Sequence, residues 1–334
     1  MKRVICALLL IVVMLAAGCG KAPRSEWAVT VDGTELSGLA VNRDGTVYIS
    51  ASELEAALDI EVPDSLITVL DEENWLPLHE VCEALNVSVL EDKENGRLYL
   101  TSGILGWEIP SGYTVPVLMY HGVTDDVWGD ESMFLSPADM EDHLRYLSEN
   151  GYDAIFFEDL AHVEQYDKPI LLTFDDGYVC NYTTLYPMLQ KYQMKATISI
   201  VTTSIGSRPT SMTAEMVREL ADSGLVSIQS HTVNHPTLTD CDRKQKEYEI
   251  RQSKLEVTQI CGREPYVMCY PGGRHDDDVT SISAEHYRFG IIVKDAVYTT
   301  GDDPFRIPRF GIYRGVTMDE FIAILDSVNY QQAG

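Results

Sequence analysis

No stretch beyond residue 15 is apolar for long enough to cross a bilayer. No low-complexity tract and no long run of Gly, Ser or Pro breaks the chain. The cysteine spacings match no zinc motif such as CxxC. Basic residues are scarce, 25 Lys and Arg against 52 Asp and Glu, which gives a net charge of −27. A surface of that sign repels phosphate backbones, so nucleic acid is not an expected partner, and acidic wall polymers are poor ones. Neutral and cationic substrates remain. What is present is ordinary for a globular protein: 334 residues, 45% hydrophobic and 23% charged, enough for two domains and a large core.

The first residues follow a different logic. Met1-Lys2-Arg3 is a short basic start, Val4 to Leu15 is apolar, and Ala16-Ala17-Gly18-Cys19 follows. This is a secretory signal with a small-residue cleavage site. "LAAGC" resembles a bacterial lipoprotein signal. That resemblance implies removal of residues 1–18, lipidation of Cys19, and a secreted protein lipid-anchored on the outer face of the cell membrane. Loss of Lys2 and Arg3 takes the charge from −27 to −29. Cys82, Cys180, Cys241, Cys261 and Cys269 then remain. A disulfide is permitted outside the cell, and no pairing follows from the spacing.

Residues 26–104 form one small α+β unit. "WAVTVDGTEL" is strand, tight turn at Asp32-Gly33, strand. "VYISASELEAALDIEV" and "WLPLHEVCEALNVSV" each give a strand and then a helix with a Leu/Ala stripe, the mark of a weak internal duplication. The unit resembles the small repeat domain named for the N-terminus of copper amine oxidases, which implies a spacer or wall-binding module. His79 is its single histidine, so no copper site is expected. Residues 105–115 carry glycine and proline and read as a linker. From 116 to the end, apolar strands alternate with helices, which predicts a parallel sheet in a barrel-like α/β arrangement with chemistry at the C-terminal strand ends.

Four motifs fall at such ends: "MYH" at 119–121, "TFDDG" at 173–177, "SHTVNH" at 230–235 and "YPGG" at 270–273. His231 and His235 lie four apart, and Pro236 favours a loop over a helix there. Two histidines and one carboxylate leave an open position for water, whose pKa a metal lowers toward neutrality; this is the ligand pattern of a catalytic zinc site. Cobalt, nickel or iron also suit these donors. The adjacent acids Asp175 and Asp176 then divide the work, one as ligand and one as general base, and a divalent cation offsets their repulsion. Successive strand side chains point to opposite faces, so alternation must break at the pair, and Gly177 is the expected place.

"TFDDG" with "HTVNH" about 55 residues later resembles the polysaccharide deacetylases of carbohydrate esterase family 4, the NodB-type domain, over roughly residues 115–330. The resemblance implies a distorted (β/α) barrel, with Asp175 as base and Asp176, His231 and His235 as metal ligands. It implies removal of acetyl groups from an N-acetylated cell-wall or extracellular polysaccharide. Two departures stand out. The family's third motif carries an arginine and a tyrosine where this chain has Cys269 and Gly272 in "CYPGG". The oxyanion and substrate positions then fall to Tyr270, Pro271 and the backbone N–H of Gly272, and Arg309 in "RIPRF" becomes the candidate to orient the base. The usual C-terminal Leu-x-His is also absent, since no histidine follows His286. "VPVLMYHGV" resembles the opening strand of exopolysaccharide-type members, where the catalytic histidine lies upstream. His121 is therefore the expected acid for the leaving amine, with His275 the next candidate. Two rival readings are a glycan-binding lipoprotein that retains the metal site without catalysis, and an O-acetyl esterase of the xylan type.

Overall fold

The computed structural model describes residues 26–70 and 73–330. The signal residues 1–18 and the acylation candidate Cys19 lie outside the described residues. The chain divides into two compact units, with the boundary between Gly106 and Trp107. Most of the expected 105–115 linker therefore belongs to the second unit. The reason is local: the Trp107 ring meets Tyr266 and Phe289 at centroid distances of 5.1 and 6.0 Å. Thr114–Val115 also forms a short antiparallel pair with Tyr298–Thr299.

The first unit is a seven-stranded sheet with two short helices, Ala51–Leu58 and Leu78–Ala84. Its apolar core is built on Val29, Ile49, Leu54, Leu76, Val81 and Leu98. The two strand-helix halves read from the sequence meet across the sheet: Thr46–Ser50 and Glu73–Pro77 pair antiparallel, Ile49 opposite Leu76. His79 is exposed and lies 3.3 Å from the Glu91 carboxylate, and no metal-type cluster forms around it among the described residues.

The second unit is an α/β barrel. Its parallel strands are β1 (Val117–Tyr120), β2 (Pro169–Phe174), β3 (Ala196–Ile200), β4 (Val226–Ser230), β5 (Val267–Cys269), β6 (Phe289–Ile291) and β7 (Phe310–Gly311). The order across the sheet is β6-β5-β4-β3-β2-β1-β7. The sheet curls, and one segment joins its two edges. Ile307 exchanges backbone hydrogen bonds with β6, at 2.9 Å to Gly290 O and from Ile292 N, and three residues later Phe310 pairs with Leu118 of β1. The closing segment is too irregular for a full strand, and Arg309 lies within it.

Helices cover the outside: α1 (Pro137–Glu149), α2 (Tyr186–Tyr192), α3 (Ala214–Asp222), α4 (Arg243–Cys261), α5 (Asp277–His286) and α6 (Met318–Asp326). Thr213 caps α3 by accepting from Met216 N, and Gly262 closes α4 in the left-handed region. Pro187 follows closely on a π-turn at Asn181–Leu185, the local widening of a helical run that accommodates a residue with no N–H to donate. Leu118 and Tyr120 of β1, Ile170, Leu172 and Phe174 of β2, and Val226 and Ile228 of β4 pack outward in one apolar cluster with Leu144, Val217, Val257 and Phe321 of the helices. Strand alternation therefore turns Met119, Thr173, Ser199, Gln229 and Cys269 inward, and the next inward positions along three strands are His121, Asp175 and His231. The five cysteines among the described residues are all free, and every one but Cys241 is buried.

Candidate active site

The two acids reach the same centre by different routes. Asp175 continues the ladder of β2, its N–H donating to Tyr120 O at 3.0 Å, and so points inward as Thr173 does. Asp176 would point outward in a regular strand. Its φ of 75° turns the chain, so alternation breaks at Asp176 itself, one residue before Gly177. The same device recurs in the histidine motif, where Thr232 and His235 have φ of 67° and 59°. Non-glycine residues held there cost about 1–3 kcal/mol each, and such strain collects at functional sites. Residues 231–237 form a loop, the conformation that Pro236 favours over a helix, and tertiary hydrogen bonds hold it. The buried Glu249 of α4 accepts the Val233 and Asn234 N–H groups at 2.9 Å each and the Asn234 side-chain amide at 2.8 Å, while His235 N–H donates to Thr232 Oγ1 at 3.0 Å. Glu249 was not singled out from sequence. Its one signal is an acid adjoining Ile250 on the buried face of α4.

His231, Asp176 and His235 converge. The Nδ1 of His231 lies 2.7 Å from Cys269 O, which orients the ring and leaves Nε2 for the centre. The Nε2 atoms of His231 and His235 lie 3.6 and 3.7 Å from the same Asp176 oxygen, and the three ligand atoms all fall within 4.8 Å of one another. Two imidazole nitrogens and one carboxylate, with the partner nitrogen of His231 fixed by a carbonyl, are a donor set that fits a divalent metal such as zinc. His235 is exposed on the open side of the cluster and His231 is buried beneath it.

Asp175 is held by Arg309, both buried. The guanidinium donates to both carboxylate oxygens, Nη1 to Oδ1 at 2.9 Å and Nη2 to Oδ2 at 2.8 Å. Its other donors reach Ile292 O, Thr173 Oγ1 and Cys269 Sγ at 3.2, 3.0 and 3.3 Å. All five N–H groups are satisfied, the condition under which a buried ion pair is tolerated. Burial opposes ionisation of Asp175, but the Arg309 charge, then His231 and the direct hydrogen bonds, outweigh it and hold the carboxyl well below the usual range. Asp175, His231 and Cys269 also approach one another closely enough to share an ion. Arg309 already supplies the cation at that point, and burial pushes the Cys269 thiol far up, so it stays protonated.

His121 stands at the inward end of β1 beside this pair. Burial lowers its pKa, and Asp175 and Asp176 partly offset that. In the third motif the side chains divide. Gly272 has φ of 59°, is exposed, and its N–H has no partner among the described residues. Tyr270 does not face substrate. Its ring is fully buried with Ile250, Met268 and Ile282, and its N–H pairs with Ile291 O at 3.3 Å. It falls at an outward position of β5, which is why the expectation fails. Pro271 is buried. His275 holds Gly273 O at 2.9 Å through Nδ1.

Comparisons with known proteins agree with this architecture. Residues 162–288 match the family description "polysaccharide deacetylase". The crystal structure of BA0330 from Bacillus anthracis is 30% identical, covers 64% of this chain and 69% of its own, and superimposes with a TM-score of 0.61. BC0361, a polysaccharide deacetylase from Bacillus cereus, is 29% identical with the same coverage and a TM-score of 0.60. The poly-β-1,6-N-acetyl-D-glucosamine N-deacetylase of Escherichia coli (strain K12) is 29% identical over 136 residues, 35% of this chain and 20% of that protein's length. The chain belongs to the polysaccharide deacetylase family and is a hydrolase.

Proposed function

We propose that this hydrolase uses a divalent metal to remove acetyl groups from the nitrogen of an N-acetylglucosamine polymer outside the cell. The observation that carries the reading is the pairing of two differently held acids: Asp176 converging with His231 and His235, and Asp175 gripped by Arg309 beside them. The printed substrate of the Escherichia coli relative supports the choice of polymer, and the acidic surface suits a neutral polymer whose product is cationic. A pure glycan binder has no need of a buried, oriented carboxylate that is free to act as a base.

Asp176, His231 and His235 would hold the metal. When bound, it supplies Lewis acidity that polarises the acetyl carbonyl and lowers the pKa of water. Asp175 takes the proton of the attacking water. Arg309 uses one lone pair on each of its oxygens and leaves the others free, and it keeps the carboxylate ionised throughout the physiological range. The exposed Gly272 N–H donates to the oxygen that becomes negative in the tetrahedral state. His121 donates the proton that the departing amine requires. Export and lipid anchoring through Cys19 place the enzyme against its substrate, a reading that rests on "LAAGC"; Cys19→Ala would shift the protein from membranes to the medium.

The direct test is acetate release from a panel of β-1,6- and β-1,4-linked N-acetylglucosamine oligomers, peptidoglycan and O-acetylated xylan, with and without chelator. Asp176→Ala and His231→Ala should lose metal and activity together. Undiminished acetate release from metal-stripped protein would overturn the metal-dependent reading, and release from the O-acetylated substrate alone would reassign the reaction.

A further inference from the structure

The sequence after His121 carries an aromatic residue that the catalytic reading leaves unused. Gly122-Val123 pairs in parallel with Phe134-Leu135, so Phe134 stands abreast of the residue next to His121. A Cβ on Gly122 would lie 2.4 Å from the Phe134 ring, so that ring rests directly on the backbone beside His121. Trp128, at the head of the intervening loop, meets Phe134 edge-on at 4.8 Å and Tyr178 at 5.7 Å; Phe134 and Tyr178 are 5.2 Å apart. Tyr178 is two residues beyond Asp176. The three rings therefore span the rim from His121 to Asp176.

Phe134 is fully buried, whereas Trp128 and Tyr178 are partly open. The loop is held in place. Arg314 donates to Phe134 O at 2.7 Å and Thr124 O at 3.0 Å, its own N–H donates to Ser132 O at 2.9 Å, and Asp130 caps Ser132. An aromatic group on a fixed loop is preorganised, so little ordering cost falls due on binding. The Trp128 indole N–H is buried without a hydrogen-bond partner.

We propose that Trp128 and Tyr178 form a sugar-binding wall for the hexosamine ring adjoining the one deacetylated, and so set the preference for oligomer over single sugar. A pyranose offers an apolar C–H face that stacks on an aromatic ring. The inference rests on the deacetylase reading above, and two measurements separate their failures. In the full chain, Trp128→Ala should lose about tenfold more kcat/KM on an N-acetylglucosamine pentamer than on 4-methylumbelliferyl acetate, mostly through KM, a stacking contact of about 1.4 kcal/mol. Trp128→Phe should recover much of that loss. The pentamer should also bind about tenfold more weakly to Asp175→Asn/Trp128→Ala than to Asp175→Asn alone by titration calorimetry. Equal losses on both substrates, or equal affinity in the titration, would overturn the wall. If the unaltered chain releases no acetate from any glycan, the deacetylase reading fails, and the titration still decides whether Trp128 binds sugar.

Discussion

On β2, Ile170, Leu172 and Phe174 pack against the helices, while Leu171, Thr173 and Asp175 line the barrel axis. On β4 the outward Val226 and Ile228 alternate with the inward Ser227, Gln229 and His231. The outward face is uniform. The inward face becomes ionisable at the C-terminal strand ends, from Leu171 and Thr173 to Asp175 on β2 and from Ser227 and Gln229 to His231 on β4. Parallel strands buried on both faces need no polar residue for stability, so the inward gradient reflects what the barrel mouth does. Its groups meet different standards as well. Arg309 satisfies every donor, yet Thr197 Oγ1 and Ser199 Oγ of β3 have no partner among the described residues. The polar column is tightly bonded around Asp175 and around Gln229 of β4, which holds Ser227 and the Tyr266 and Val267 N–H groups, and is looser on β3.

The largest effect expected from breaking the inward column is catalytic. Asp175→Asn keeps the shape but cannot take a proton, and should lower kcat by about 10²–10⁴-fold per folded molecule, with bound metal retained by elemental analysis. Loss of metal instead would exchange the roles of Asp175 and Asp176.

Next in size is stability. Arg309→Met leaves Asp175 buried without its counter-charge, and urea unfolding should show a loss of about 3–5 kcal/mol together with activity. Leu172→Ala, one step along β2 from Thr173 but facing outward, should cost about 2–5 kcal/mol while the folded fraction keeps its kcat. If Leu172→Ala reduces kcat as Arg309→Met does, the two faces are not separable in the way their chemistry indicates.

Much of this contrast was legible in the sequence, because strand alternation and strand ends are local properties. "TFDDG" and "SHTVNH" marked the rim, and the apolar runs before them marked the outer face. The backbone turn at Asp176 was less legible, since nothing in Asp-Asp-Gly says which residue takes the left-handed conformation. Tyr270 was misjudged for the opposite reason: "YPGG" resembles a binding motif, but Tyr270 falls at an outward position of β5 and its ring fills the core. The sequence offers Arg309 as the residue that orients the base, and the structure pairs it with Asp175 across 134 residues, although the closing segment that carries it is too irregular to predict as a strand. The support that Glu249 gives the histidine loop depends on the placement of a helix, which no local pattern reveals.

The smallest expected effect probes the outer face with a titratable group. His143 of α1 is almost wholly buried there, stacked on Phe321 at 3.9 Å, with Nδ1 3.4 Å from the Tyr120 hydroxyl. Asp139 and Asp142 on the same helix favour its charged form, but burial dominates and lowers its pKa to about 4. The inward column holds Asp175 charged by means of a partner, whereas the outer layer offers His143 no counter-charge that overcomes burial, so it is kept neutral. In the unfolded chain the imidazole protonates near its ordinary pKa of about 6.5. As pH falls from neutrality toward 4, the unfolded state binds this proton first, and folding stability declines by up to about 3 kcal/mol before levelling off below the folded pKa. His143→Phe keeps an aromatic ring against Phe321 and removes the proton site. Urea midpoints for the two proteins, compared at pH 7.5 and pH 5, cancel the contribution of the many carboxylates they share. The wild-type chain should lose more stability over that interval than His143→Phe does. Parallel declines would show that His143 finds a charge-stabilising partner on the outer face, and the contrast between the two faces would then rest on the inward column alone.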